Sequence, residues 1–281
     1  DTQLELAKGL SYAAAMGSAL SKVNPALAKV VEQPNNILAI EYLKQINISN
    51  AKLIPLPISR ISAMYNDKEI KGNIASATAI RQEFLKNWLT TDIANAVSPS
   101  TFLKLSQLNA EKRLGHNQEY LDLLLSFLLK QISPAYIAKC CECSEGLENK
   151  IVKAANASNW SEAVAMIKSK RYPETRINRL LLQILLSSQE ITFREALTNN
   201  PSYIRVLAFN NRGRQLLKQM KDTAALPLIT KLGKNSLEKD NRDFVSSLKI
   251  DLSASALFSL IQGNSLPYPA DLKTSPFYLS E

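Results

Sequence analysis

Apolar side chains recur at helical spacing along most of the chain. Leu6, Leu10, Ala14 and Leu20 share one stripe over residues 4–31, and with Pro25 as a break they predict one or two helices there. A helix over 34–45 follows, its start marked by the N-cap-type residues Asn35 and Asn36, with Ile37, Ile40, Tyr42 and Leu43 apolar behind them. In 51–61 the run Leu53, Ile54, Leu56, Ile58 and Ile61 reads as a strand. Pro55 and Pro57 lack the N–H that a ladder needs, so it is predicted as an edge or irregular strand. From Ala77 the period becomes helical again. Ile80, Phe84 and Trp88 begin it, and helices are predicted over 102–108, 120–131, 133–141, 147–155, 161–168, 174–186, 192–197 and 213–221. Ser98-Pro99 and Ser133-Pro134 read as helix starts, with proline at the first helical position. Residues 226–232 and the last forty mix short helix and strand signals, and 266–269 and Ser275-Pro276 read as loops. A compositional shift near 95–100 divides the chain into an α/β remainder, 1–97, and a mainly helical part, 98–281. The predicted fold class is therefore α/β plus α.

Composition narrows the function classes. The chain has 34 basic against 25 acidic residues, a net charge of +9 and a pI of about 9.4. That excess favours a polyanionic partner, nucleic acid above all, if the charges cluster, and means only a solvated basic surface if they do not. No apolar run approaches the roughly 20 residues of a membrane span, so no membrane is expected. Cys140, Cys141 and Cys143 crowd into four positions, and His116 is the one histidine. Zinc sites draw on separated ligand pairs and disulfide frameworks need distant partners, so neither a metal nor a bridge is expected, which suits a reducing cytoplasm. The chain begins at Asp1 with neither a signal nor a transit pattern and reads as an excerpt of a longer protein.

Two constellations carry candidate chemistry. Asn35 and Asn36 each donate and accept in one plane, which suits an adenine edge or a ribose, and Arg60 offers a fork matched to phosphate. The blander reading makes the amides a helix cap and Arg60 a surface charge. Ser76, Thr78 and Arg81 form a Ser/Thr-capped helix start with arginine in its first turn, which either binds phosphate or ends a loop. Glu41 is the nearest carboxylate, but its place on the helix does not suit a general base. The second constellation is basic: Lys168, Lys170, Arg171, Arg176 and Arg179 around Tyr172, then Arg205, Arg212, Arg214 and Lys218. Arg176 and Arg179 lie three apart on one helical face, and the Tyr172 ring offers a surface for stacking a base. Such clustering favours nucleic acid, gripped by its phosphates rather than read base by base. His116 sits in a polar loop and reads as solvated, and the chain has no Gly-rich phosphate loop.

The ordered set of motifs resembles the bacterial tRNA(Met) cytidine acetate ligase family. It comprises Leu10-Ser-Tyr12, Pro34-Asn-Asn-Ile-Leu38 with Glu41 and Tyr42, Arg60 with Tyr65-Asn-Asp67, Ser76-Ala-Thr-Ala-Ile-Arg81, Ser144-Glu-Gly-Leu-Glu-Asn149, Lys168 to Tyr172 with Thr175 to Ile177 and Arg179 to Leu182, and Tyr203 to Leu207 with Phe209-Asn210. The resemblance implies a Rossmann-like nucleotidyltransferase part followed by a helical part. It implies an enzyme that activates acetate with ATP, aided by Mg, as acetyl-adenylate, then acetylates the wobble cytidine of elongator tRNA(Met). Within it, one asparagine of the 35–36 pair and Arg60 match ATP-binding positions, and the turn from Ser76 to Arg81 resembles the hydroxyl-plus-arginine element that such enzymes hold near the nucleotide. Ala39 stands where the family commonly has glycine, and Ser62-Ala-Met64 where it has a Gly-containing triplet. The family's His-rich ATP loop is absent from these residues, so its catalytic residues are not among them. The chain alone is therefore expected not to form the adenylate, because phosphate charge stabilisation is usually the largest catalytic contribution. A non-catalytic RNA-binding or adaptor module is the alternative.

Overall fold

The structure, a computed structural model, describes residues 2–10, 12–31, 33–59, 68–114, 118–140, 143, 146–169, 171–186, 201–233, 242–263 and 270–280. It divides into two compact units, Asp1–Leu114 with Ser169–Arg171, and Gly115–Lys168 with Tyr172–Glu281.

The first unit opens with α1 (Thr2–Ala7), α2 (Tyr12–Ser21) and α3 (Pro25–Val31). That is three helices where one or two were expected, because Gly9, at φ +86°, turns the chain between the first two. Ala15, Met16, Ala19 and Val31 bury the contact between α2 and α3. Buried Glu5 on α1 accepts from Lys8 Nζ at 3.0 Å and Lys22 Nζ at 2.5 Å, tying α1 to the residue just after α2. α4 (Pro34–Ile48) starts with proline at its first position and Gln33 as N-cap, so Asn35 and Asn36 lie inside the first turn instead of capping it.

The predicted strand is not formed. Residues 51–59 carry no regular structure, and Leu53, Ile54, Leu56 and Ile58 are all exposed, Ile54 at 92%. Its alternate prolines withhold two ladder donors, and a strand also needs a neighbour, which no described residue of this unit supplies. The unit closes with α5 (Ala77–Asn87), α6 (Thr91–Ala96) and α7 (Pro99–Ala110), each begun by a hydroxyl cap, Ser76, Thr90 and Ser98. The expected division at 97/98 lies between α6 and α7.

The second unit begins with α8 (Gln118–Gln131), α9 (Pro134–Ile137), α10 (Leu147–Lys153), α11 (Trp160–Ile167) and α12 (Glu174–Leu186). α9 is shorter than the predicted 133–141, because Lys139 and Cys140 bond to carbonyls three residues back and tighten the chain out of the α-helix. Ile177, Leu180, Leu181 and Ile184 of α12 pack with Leu125 and Leu129 of α8, Ile151 of α10 and Ile167 of α11. Each such fully buried aliphatic side chain contributes about 2 kcal/mol.

Beyond that core lie β1 (Ile204–Arg205), β2 (Ala208–Phe209), α13 (Asn211–Thr223), β3 (Leu228–Ile229), α14 (Arg242–Ile261) and β4 (Phe277–Tyr278). β1 pairs in parallel with β3, Ile204 opposite Leu228, and β2 in parallel with β4, Ala208 opposite Phe277. The described strands thus lie here and not in 1–97, and the molecule is mostly helical with short parallel strands. α14 was unexpected. Its buried stripe Phe244, Leu248 and Leu252 packs with Ile229 and Leu232, and the Tyr203 ring meets Phe244 edge-on at 5.3 Å. By length and composition alone its stretch Phe244–Ile261 is long and apolar enough to cross a membrane, contrary to the expectation from apolar runs. The predicted helix 192–197 and loop 266–269 lie outside the described residues.

Candidate functional site

Of the nucleotide candidates in the first unit, Asn35 and Asn36 are both exposed. The Asn36 amide is already engaged: its Nδ2 donates to the Val30 carbonyl at 2.9 Å, satisfying an orphan acceptor near the end of α3. Asn35 is the one whose side chain has no bond of this kind to the neighbouring helix. Glu41 accepts from Lys44 Nζ at 2.6 Å and from the Tyr12 hydroxyl at 3.1 Å. These bonds, Lys44 first, hold its carboxyl below the usual range, so it stays a carboxylate. Ser76 is buried, and its Oγ accepts from the Ala79 N–H at 3.0 Å. Thr78 is half-buried in the first turn of α5, and Arg81 is exposed one turn further on. The α5 start thus presents backbone donors, a hydroxyl and a guanidinium at one helix end, a combination that suits an anion. Arg60 lies outside the described residues, as does His116.

The basic candidates of the second unit differ in how much positive charge they offer. Lys168 pairs with Glu174 at 3.0 Å, both well exposed, a contact weak enough to exchange for a phosphate. Arg205 pairs with Asp271 at 2.6 Å in a half-buried setting, so its charge is neutralised within the fold. Arg179 and Arg212 are exposed. Arg214 is exposed beside the Tyr278 ring, 5.8 Å from guanidinium carbon to centroid. Arg171 is half-buried, and Lys170 lies outside the described residues.

Tyr172 corrects an expectation. Its ring is 6% exposed, belongs to the core cluster, and carries the Arg176 guanidinium 4.9 Å from its centroid. It cannot stack on a base, because core packing and a cation already occupy it.

The start of α13 is built with care. The Asn210 side chain caps it by accepting from the Gly213 N–H at 3.0 Å. Tyr278 on β4 donates to Asn211 Oδ1 at 2.6 Å, and its ring lies 5.5 Å from that of Phe209. Gly213 fits a close approach, since a Cβ there would meet Phe209 Cβ at 3.0 Å and one of the two would have to shift by a few tenths of an ångström. Arg212 and Arg214 sit in the first turn, which has no acidic residue. Positive charge at that end opposes the helix dipole, so an external anion would relieve it.

Sequence reasoning missed a cleft of about 670 Å³ between α8, α11 and α12, walled by Leu121, Trp160, Val164 and Leu182. No sequence signal marks it, because its parts come from three helices. The described cysteines lie elsewhere in this unit. Cys140 and Cys143 are buried free thiols, and burial, with Glu148 beside it, pushes the Cys143 thiol up to about 11.

Comparison with known proteins defines the class. The HIGH Nucleotidyl Transferase family matches residues 1–270. A protein of Thermoanaerobacter sp. (strain X514), named tRNA(Met) cytidine acetate ligase, is 35% identical over 92% of this chain and 64% of its own length. The protein of the same name from Clostridium novyi (strain NT) is 34% identical over 98% of this chain and 67% of its own length. The crystal structure of Thermotoga maritima TmcAL in its apo form superimposes on all of this chain and 70% of that one, with a TM-score of 0.83 and 26% identity. The same protein bound with alpha-thio ATP gives 0.82 at 24% identity, a likeness of fold. The chain belongs to the tRNA(Met) cytidine acetate ligase family of HIGH nucleotidyl transferases. It spans about two thirds of the length of these relatives.

Proposed function

We propose that the chain is the larger part of an ATP-dependent ligase that acetylates the wobble cytidine of elongator tRNA(Met) through acetyl-adenylate. The observation that carries the reading is its likeness, along almost all of its length, to proteins named for that activity. On this reading residues 1–97 are the remainder of a Rossmann-like nucleotidyl transferase domain, and 98–281 face the tRNA. No described side chain of α4 is buried, and Leu38, Tyr42 and Ile48 on it are exposed together with the apolar row of 51–59. An apolar surface of that extent suits an interface, and the further third of the relatives' length is its natural cover. Asn35, Arg60 and the α5 start with Ser76, Thr78 and Arg81 would then form one wall of an ATP site.

The RNA-facing assignment is supported by Lys168, Arg179, Arg212 and Arg214 and by the dipole-opposed arginines of α13. The test compares this chain with a full-length family member supplied with ATP, labelled acetate and tRNA(Met). The full-length protein should incorporate acetate only when ATP is present, and this chain should bind the tRNA without incorporating acetate. A full-length protein that transfers no acetate would sink the ligase reading.

A further inference from the structure

The walls of the cleft in the second unit are tied together by hydrogen bonds. The Trp160 backbone N–H donates to Asp122 Oδ1 at 2.8 Å, and its ring Nε1 donates to Asn178 Oδ1 at 2.7 Å. Gln118 Nε2 also donates to Asp122, at 3.4 Å. These bonds join α8, α11 and α12 around the opening and fix the indole in one orientation before any ligand arrives.

The volume of about 670 Å³ lies within the roughly 300–1,000 Å³ typical of ligand sites. Its lining is mixed: Leu121, Trp160, Val164, Ala165 and Leu182 are apolar, and polar side chains, Glu174 among them, make up the rest. Asn178 still carries two N–H donors once its oxygen is engaged by Trp160, and Ser161 adds a hydroxyl. Lys168, on the lining and well exposed, pairs among the described residues with the exposed Glu174. Arg179 follows Asn178 on α12 and flanks the stripe of Glu174, Asn178 and Leu182 that faces the opening. A fixed aromatic wall, hydrogen-bonding groups beside it and cations around it are the parts that receive an unstacked base with its phosphates.

We infer that this cleft holds one unstacked nucleobase of the bound RNA, with Trp160 as the stacking wall, Asn178 meeting the base edge and Lys168 its phosphate. The inference rests on the RNA-facing reading of the second unit. It also supplies the stacking surface that Tyr172, buried in the core, does not.

The test uses the full chain with Trp88→Phe, which leaves Trp160 as the one indole. A hairpin RNA with an unpaired loop should quench Trp160 emission, and a fully paired RNA of equal charge should not. Trp160→Ala should weaken hairpin binding about tenfold while leaving the salt dependence unchanged. Leu182→Glu, at a residue 38% exposed on the helix surface, should act in the same direction without disturbing the core. Equal quenching by both RNAs, with hairpin affinity unaltered in Leu182→Glu, overturns the inference while leaving RNA binding by this unit intact. Failure of both RNAs to bind overturns the RNA-facing reading and the inference together.

Discussion

Arg205 Nη2 lies 2.6 Å from Asp271 Oδ1, joining β1 to the 3-10 turn Ala270–Leu272 across 66 positions of sequence. Arg205→Ala should therefore lower stability by about 1–3 kcal/mol, because it strands a half-buried carboxylate. It should leave the salt dependence of RNA binding unchanged. Urea denaturation and a salt titration check the two halves, and a flattened salt slope would show that Arg205 reaches a phosphate after all.

Arg179 and Arg212 stand at the surface. Both are exposed, and replacing either by alanine should weaken RNA binding across sequences and reduce the slope of log affinity against log salt by about 1. Thermal unfolding of the Arg212→Ala variant should match the parent.

The cap on α5 is a stability element with a measurable size. Ser76→Ala removes the acceptor for the Ala79 N–H in a buried setting and should cost about 1 kcal/mol, read as a lower denaturation midpoint at unchanged m-value. Retention of the midpoint would mean that the N–H finds another partner.

Glu5 gives the first unit an acid sensitivity. Its hydrogen bonds to Lys22 and Lys8 lower its pKa from 4.5 to about 2. A depressed carboxyl pKa adds stability that is present above about 4.5 and is lost as pH falls toward about 2. Glu5→Gln should reduce the loss of helical signal between pH 5 and about 2, followed by circular dichroism. An unchanged acid profile in Glu5→Gln would assign the sensitivity to other carboxylates.

Helices with a dense local period were legible in the sequence. α12 has its expected bounds, since Ile177, Leu180, Leu181 and Ile184 repeat at three and four, and the Ser-Pro pairs opened α7 and α9 as their caps required. α14 escaped because serines interrupt its stripe, so Phe244, Leu248 and Leu252 stand out only once their partners are in place. Residues 51–59 misled for the converse reason: alternation of apolar residues specifies a strand only where a neighbouring strand exists. The basic character of the second unit was visible as composition. Which cations stay available was not, because Asp271 neutralises Arg205 from far along the chain, and the cleft is assembled from three helices.

The pairing of β2 with β4 has a consequence for how the protein is made. Tyr278 meets Asn211 across 67 positions, so closing this contact carries the entropic cost of a long loop. During synthesis β2 and the start of α13 emerge well before their partner, and they wait through the production of α13, β3 and α14 without it. The arginine-rich turn at Arg212 and Arg214 should therefore be among the last parts of the second unit to reach its working geometry.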